Sequence, residues 1–393
     1  MALPNVKIEL GNGALGSIGN TGDGIAGLIM TGNGTVGIPL ATPKVIYSLS
    51  EAIALGITEA AEPAAYRHIK EFYDGHVYAT GSDTAELYIM LLSKSVTMTQ
   101  AADKTTVSGA KALLDYAQGR IKMLGITRNP DAEYEPDLED GIDADSLTAM
   151  PKAHELASLM AEDQKPIRVL IEGREFDYDN IGDLEDLTAY TYSRVAMVLW
   201  STKADGSASV GYTLGVKAGL PVQRKLSRVA NGQLPISEAY IGVDKAEGIP
   251  GISTIHDKGY ITLRTYPTRA GYYFTGEPVA CLPSDDYAIL SRGLVIDKAQ
   301  RIAYNTFLDE LEEDVEVDGA GQLLPGYKAY LEKRITNAIT LSMTGQISGV
   351  RFSIPDGQNI LSDNKTRAIL AIIPKGYQTY IEVLLGFANP ALN

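Results

Sequence analysis

Strand and helix signals alternate from residue 44 to about residue 200, and this alternation constrains the fold more than any other feature of the chain. "KVIYS" (44–48) reads as a short strand and "LSEAIALG" (49–56) as a helix. "EPAAYRHIKEFYDG" (62–75) reads as a helix with Pro63 in its first turn and Gly75 at its end. "ELYIMLLS" (86–93) is a continuous apolar run, the pattern of a strand buried on both faces. "TTVSGAKALLDYAQGR" (105–120) follows as an amphipathic helix and "IKMLGIT" (121–127) as a strand. A helix at "DSLTAMPKAHELASLMAED" (145–163) then leads to strands at "IRVLIEG" (167–173) and "RVAMVLWS" (194–201). Such an order predicts an α/β sheet with helices covering its faces.

The pattern changes near residue 250. "GYITLRTYPTRAGYYFTGEPVACL" (259–282) reads as strands joined by a turn. Two helices follow, "SRGLVIDKAQRIAYNTFLDEL" (291–311) and "GYKAYLEKRITNAITLSM" (326–343), separated by a glycine-containing break. The chain closes with three strand-like runs, "VRFSI", "TRAILAII" and "YQTYIEVLLGF".

Ahead of all this lies "GNGALGSIGNTGDGIAGLIMTGNG" (11–34), which opens with Gly11-x-Gly13-x-x-Gly16. A dinucleotide fingerprint needs a buried strand before it, a helix on the third glycine and an acid about 20 residues on. The further glycines at 19, 22, 24 and 27 would break that helix, and no acid falls in the window. The stretch reads instead as a flexible or extended glycine-rich segment.

Composition narrows the classes. Of 393 residues, 45% are hydrophobic and 21% charged, which describes a folded chain long enough for two or three compact units. A single cysteine, Cys281, excludes an internal disulfide framework and points to a reducing compartment. No signal-peptide pattern opens the sequence and no apolar stretch approaches about 18 residues, so neither secretion nor a membrane is expected. The net charge of −15 argues against nucleic acid as a partner. Its distribution is uneven: residues 129–188 hold 18 acidic and four basic side chains, whereas 325–393 hold four acidic and seven basic. The middle reads as a solvated acidic face, and the basic end suits an acidic partner.

No catalytic or metal motif emerges. His68, His76, His154 and His256 belong to no HExxH or zinc cluster, and each reads as a surface or structural residue. Cys281, in "PVACL", reads as a buried small hydrophobe. "DYDNIGDLEDLT" (177–188) places Asp177, Asp179 and Gly182 as in a calcium loop, but Ile181 and Thr188 stand where oxygen ligands are required. "EYEPDLEDGIDADS" (133–146) reads as a solvated acidic loop. No cofactor is expected.

The segment 256–311 resembles the late core of contractile phage tail sheath proteins. Gly259, Arg264, Gly271, Phe274 with Gly276, and Arg292 fit the family's order of a glycine-led strand ending in arginine, a glycine, an aromatic–glycine pair and an arginine before a long helix. "VGYTLGVKAGLP" (210–221) is similar to the small-residue helix of many sheaths. His256-Asp257, "FTGEP" and Arg292-Gly293 depart from the usual residues, as in a divergent, sheath-like prophage branch.

The resemblance implies an α/β protein with a mixed-sheet inner, tube-proximal domain, an α/β outer domain and extended N- and C-terminal β arms. It divides the chain into an arm and linker at 1–40, an outer or middle domain at 41–250, an inner core at 251–375 and an arm strand at 376–393. The N-terminal arm would donate "NVKIEL" through Val6, Ile8 and Leu10, and the C-terminal arm "YIEVLLGF" through Ile381, Val383 and Leu385. An ordinary edge strand is the alternative for each. The helix 326–343 would face the tube with Lys328, Lys333 and Arg334. The implied function is a subunit that polymerises helically and contracts, without nucleotide. Its partners would be other copies of itself, the tail tube protein, and baseplate and terminator proteins, in a virion tail assembled in host cytoplasm. A soluble cytosolic α/β enzyme with a carboxylate or Cys281 site, or another phage tail or baseplate protein, are the rival readings.

Overall fold

The computed structural model describes residues 22–246, 251–379 and 381–386. They fall into two compact units, one through Tyr304 and one from Asn305.

The first unit is built on a sheet of seven strands. In chain order these are β1 (Ala26–Gly32), β2 (Lys44–Ile46), β3 (Leu87–Ser93), β4 (Met123–Ile126), β5 (Arg168–Glu172), β6 (Val195–Val198) and β7 (Tyr260–Ile261). Their spatial order is β7-β6-β5-β4-β1-β3-β2, parallel throughout except for β2, which pairs antiparallel on the edge. The register sets Leu28 of β1 opposite Ile89 of β3 and Gly125 of β4. Every residue of β1, β4, β5 and β6 is buried, as a parallel sheet covered on both faces requires.

The helices of this unit are α1 (Leu49–Ala54), α2 (Pro63–Thr80), α3 (Met98–Ala102), α4 (Ala110–Tyr116), α5 (Ala144–Glu162), α6 (Val210–Gly219) and α7 (Ile252–Asp257). Right-handed crossovers put α2 on one face of the sheet and α3, α4 and α5 on the other, because the chain reverses direction across β1. α6 joins α2 on its face, packing over β1 and β4.

Three differences from the sequence reading have clear physical causes. The segment assigned to an N-terminal arm and linker at 1–40 contains an interior strand of the sheet, β1, which lies between β4 and β3. Glycines are tolerated in this strand because neighbours crowd it: a Cβ on Gly27 would lie 2.9 Å from Ile121 and 3.1 Å from Leu124. Gly75 does not end its helix. α2 continues to Thr80 and stops at Gly81 with φ 78°, whereas a Cβ on Gly75 would sit 2.5 Å from the carbonyl oxygen of Tyr212. The division expected at 250 also lies elsewhere, since β7 from beyond it pairs with β6 in register Tyr260 to Met197.

A long helix, α8 (Leu290–Leu308), begins in the first unit and ends in the second. The second unit then contributes α9 (Pro325–Ser342) and an antiparallel pair, β8 (Ile347–Ser353) with β9 (Ile369–Pro374). Leu331, Ile335 and Ile339 form the buried stripe of α9, which packs on β8. The Phe307 and Phe352 rings meet at a tilt, 5.8 Å between centroids and 34° between planes. Val6, Ile8 and Leu10 lie outside the described residues.

Candidate subunit interface

The second unit is incomplete as a folding solution. Among the described residues its sheet has two strands, and such a pair alone is marginal in water. β9 is mainly exposed, with Ile369 and Ile373 open to solvent, and in β8 Phe352 is the one buried residue. Beyond β9, residues 381–386 form no helix or strand and carry Ile381, Val383, Leu384 and Leu385 with at least 76% of each surface exposed. A run of exposed large apolar side chains is a segment that β-strand addition can use. Leu384 is as exposed as its neighbours, so the apolar character is not confined to the alternate positions Ile381, Val383 and Leu385.

The three cations expected to face a tube all lie on or near the solvent side of α9, but two are already engaged. Lys328 pairs with Asp356 at 2.7 Å, and Arg334 binds Asp309 at 2.6 Å and Glu310. Lys333 is exposed and pairs with no described acid. The formal basic excess of this helix is therefore largely neutralised within the unit.

The residues that carry the sheath resemblance build the base of α8. Glu277, which follows Gly276, is buried and accepts from the backbone N–H groups of Leu226 (3.0 Å) and Ser291 (2.9 Å). It also accepts from Lys217 Nζ at 3.2 Å, and both side chains are fully buried. Burial pulls the Lys217 ammonium below its usual range, opposed by the Glu277 carboxylate. Lys217 also donates to Ser291 Oγ and to the Arg224 carbonyl, so one lysine ties α6 to the start of α8. One turn on, Arg168 of β5 reaches Asp297 with two nitrogens, at 2.7 and 3.0 Å, and donates to the Gly293 carbonyl. A side chain at 293 would collide with that guanidinium, which explains the glycine after Arg292. Lys298 pairs with Asp23, fixing the chain just where the N-terminal segment enters the fold.

Other motif residues act as packing and turn devices. Gly259 takes φ 90° ahead of β7, and Phe274 meets Trp200 edge-on at 5.7 Å. Gly276 leaves room for the His256 ring, and Gly271 takes φ 78° against Gln233. Arg264 lies over the Tyr266 ring at 4.5 Å. In α6, Gly211 and Gly215 press against the backbone carbonyls of His68 and Phe72 in α2, leaving no space for a Cβ.

Burial shifts the thiol and the imidazoles of the first unit. Burial, reinforced by Asp285, pushes the Cys281 thiol up to about 11. Burial lowers all four imidazoles, and His68 most strongly. In the pseudo-calcium loop, the Asp177 carboxylate caps the N–H of Asp179 at 3.1 Å. Among the described residues no three of His, Cys, Asp and Glu gather as metal ligands, and no helix is long and apolar enough to cross a membrane.

The fold of the chain is that of solved tail-sheath structures. The chain is similar over its full length to solved sheath structures. In the helical sheath of the anti-feeding prophage in the contracted state, the matching chain is 14% identical with a TM-score of 0.60, covering 99% of each chain. A chain in the six-fold symmetrised baseplate of the same prophage matches at 13% identity and TM-score 0.60, over 99% of this chain and all of that one. The contracted PVC sheath complex of an extracellular contractile injection system matches at 12% identity and 0.58, over 100% and 99%. By sequence the chain belongs to the DUF2586 family: the N-terminal domain covers residues 3–277 and the C-terminal domain 286–392. No curated protein matches it in sequence.

Proposed function

We propose that this protein is the subunit of a contractile sheath, polymerising helically around a tube and contracting to drive that tube through a cell envelope. The observation that carries the proposal is the end-to-end likeness to chains from contracted sheaths, at TM-scores of 0.58 to 0.60 over nearly all of both chains. The unfinished sheet of the second unit and the apolar run 381–386 give the assembly a physical route. A neighbour's strand would complete β8–β9, while the donated arms, through Val6, Ile8 and Leu10 and through Ile381, Val383 and Leu385, keep subunits tethered as they rotate. Its partners are then further copies of itself, a tube protein, and baseplate and terminator proteins. The match to a chain in a baseplate structure favours a second, related role as the first ring on a baseplate.

Toward the tube, Lys333 is the residue of α9 most available to an acidic surface, and Lys328 and Arg334 would have to exchange their internal acids. Lys333→Glu should weaken tube association at raised salt more than Lys328→Ala does. Electron microscopy of the full chain beside a chain lacking residues 1–20 tests the main reading. Hollow cylinders from the full chain that vanish without the arm are expected. Compact particles of one small size from both chains would overturn it.

A further inference from the structure

We propose that the outer face of the β8–β9 pair docks on the acidic segment 311–316 of a second copy of this chain. The inference rests on the self-assembly in the sheath reading and names two surfaces that meet in it. Directly opposed residues of an antiparallel pair share a face. Val350, Phe352, Leu370 and Ile372 therefore line one side, where the buried Phe352 meets Phe307. Arg351, Ser353, Ile369, Ala371 and Ile373 line the other, and all five are exposed. Strand addition would use the edges of this pair and leave that face open. Arg351 stands at its centre. Ala371 directly opposite is small, and Ile369 and Ile373 lie two positions to either side of it. Lys375 follows just beyond the strand. Neither cation pairs with a described acid, and Asp356, the acid nearest to Arg351 in sequence, is held by Lys328 at 2.7 Å. An apolar face with a guanidinium in its middle suits a partner that brings carboxylates together with an apolar side chain.

The same unit carries such a partner. Residues 309–318 hold seven acids and no base. Arg334 takes Asp309 and Glu310, and Asp318 accepts from the N–H groups of Ala320 and Gln322. Glu312, Glu313, Asp314 and Glu316 are exposed and pair with no described cation. Leu311 beside them leaves 67% of its surface open. Among the described residues no ion pair joins the two surfaces within one chain, so the match is one between copies. Two different surfaces meeting in this way make a heterologous contact, which repeats into a ring or a helix. The run 381–386 would bring the face one carboxylate, Glu382, against the four of 311–316.

Sedimentation velocity of the full chain measures the concentration at half-association, and electron microscopy shows the form of the product. Arg351→Glu should raise that concentration about tenfold or more, and Glu313→Lys with Glu316→Lys should do the same. All three substitutions together should return it to within about threefold of the wild-type value. Each position is exposed, so the variants keep the fold. Unchanged association in either swap, or a wild-type chain that does not self-associate, would overturn the proposal. Loss in both swaps without recovery in the combined variant would also overturn it and hand the face to another occupant, such as the run 381–386. The two readings fail separately. Cylinders that form regardless of the swaps keep the sheath reading and remove this one, whereas swap-dependent particles of another form keep this one and remove the sheath reading.

Discussion

The two compact units solve the same problem with opposite degrees of completeness. The first buries seven strands between layers of helices and fastens its one continuation, α8, with buried ion pairs. The second packs α9 on two strands and, among the described residues, buries six apolar side chains. Leu361, Ile369 and the run 381–386 stay exposed. A unit that satisfies its own edges has no need of neighbours, whereas one that leaves edges and apolar side chains open gains stability by recruiting them. On the sheath reading proposed above, assembly falls to the second unit.

The contrast is broken most severely at Lys217. Lys217→Met leaves Glu277 charged in a dry site and should cost about 3–5 kcal/mol of first-unit stability, whereas the double variant Lys217→Met, Glu277→Gln should lose clearly less. Calorimetry distinguishes the two, and equal losses would mean that Lys217 acts through packing alone. Next comes Ile335→Ala, which opens a cavity in the small core and should cost about 2–5 kcal/mol. That loss should move a separate, lower transition belonging to the second unit. A shift of the upper transition instead would mean that the units melt together.

Cys281 reports on the first unit by itself. With the thiol at about 11 against an ordinary 9.0, the folded chain holds about 100-fold less thiolate at pH 8, so alkylation should be slower than in urea by at least that factor. The sign for stability follows: the raised value favours the folded state fully below pH 9, and that contribution is lost as pH rises through about 11. The smallest effect on folding is expected from Val383→Ser with Leu385→Ser. These exposed positions should change stability by no more than about 0.5 kcal/mol while abolishing cylinders in electron micrographs. Cylinders that persist would remove the C-terminal run from the assembly route.

Much of this contrast can be read along the chain, and some of it cannot. "ELYIMLLS" and "RVLIE" are continuous apolar runs, so their burial on both faces follows from composition alone. β1 is not legible because "GIAGLIMTG" sits among glycines that locally favour a loop; only the fold shows Ile121 and Leu124 filling the space beside Gly27. Gly75 misled for the same reason, since a glycine near a helix end and a glycine at a helix crossing look alike in one dimension. Lys217 did leave a signal, a lone cation inside the apolar helix "VGYTLGVKAGL", but its partner Glu277 is 60 residues away. The basic character of α9 was legible, whereas its neutralisation by Asp309, Glu310 and Asp356 was not, because those acids come from other elements.

By itself the sequence determined the alternation of strands and helices, the apolar closing run and the motif order of the sheath-like core, since these depend on neighbours a few residues apart. Tertiary structure alone decided that a glycine-rich stretch is an interior strand, where the units divide, and which charges find partners. Each of those depends on free energies of contact between residues far apart in the chain, and local propensity carries no record of them.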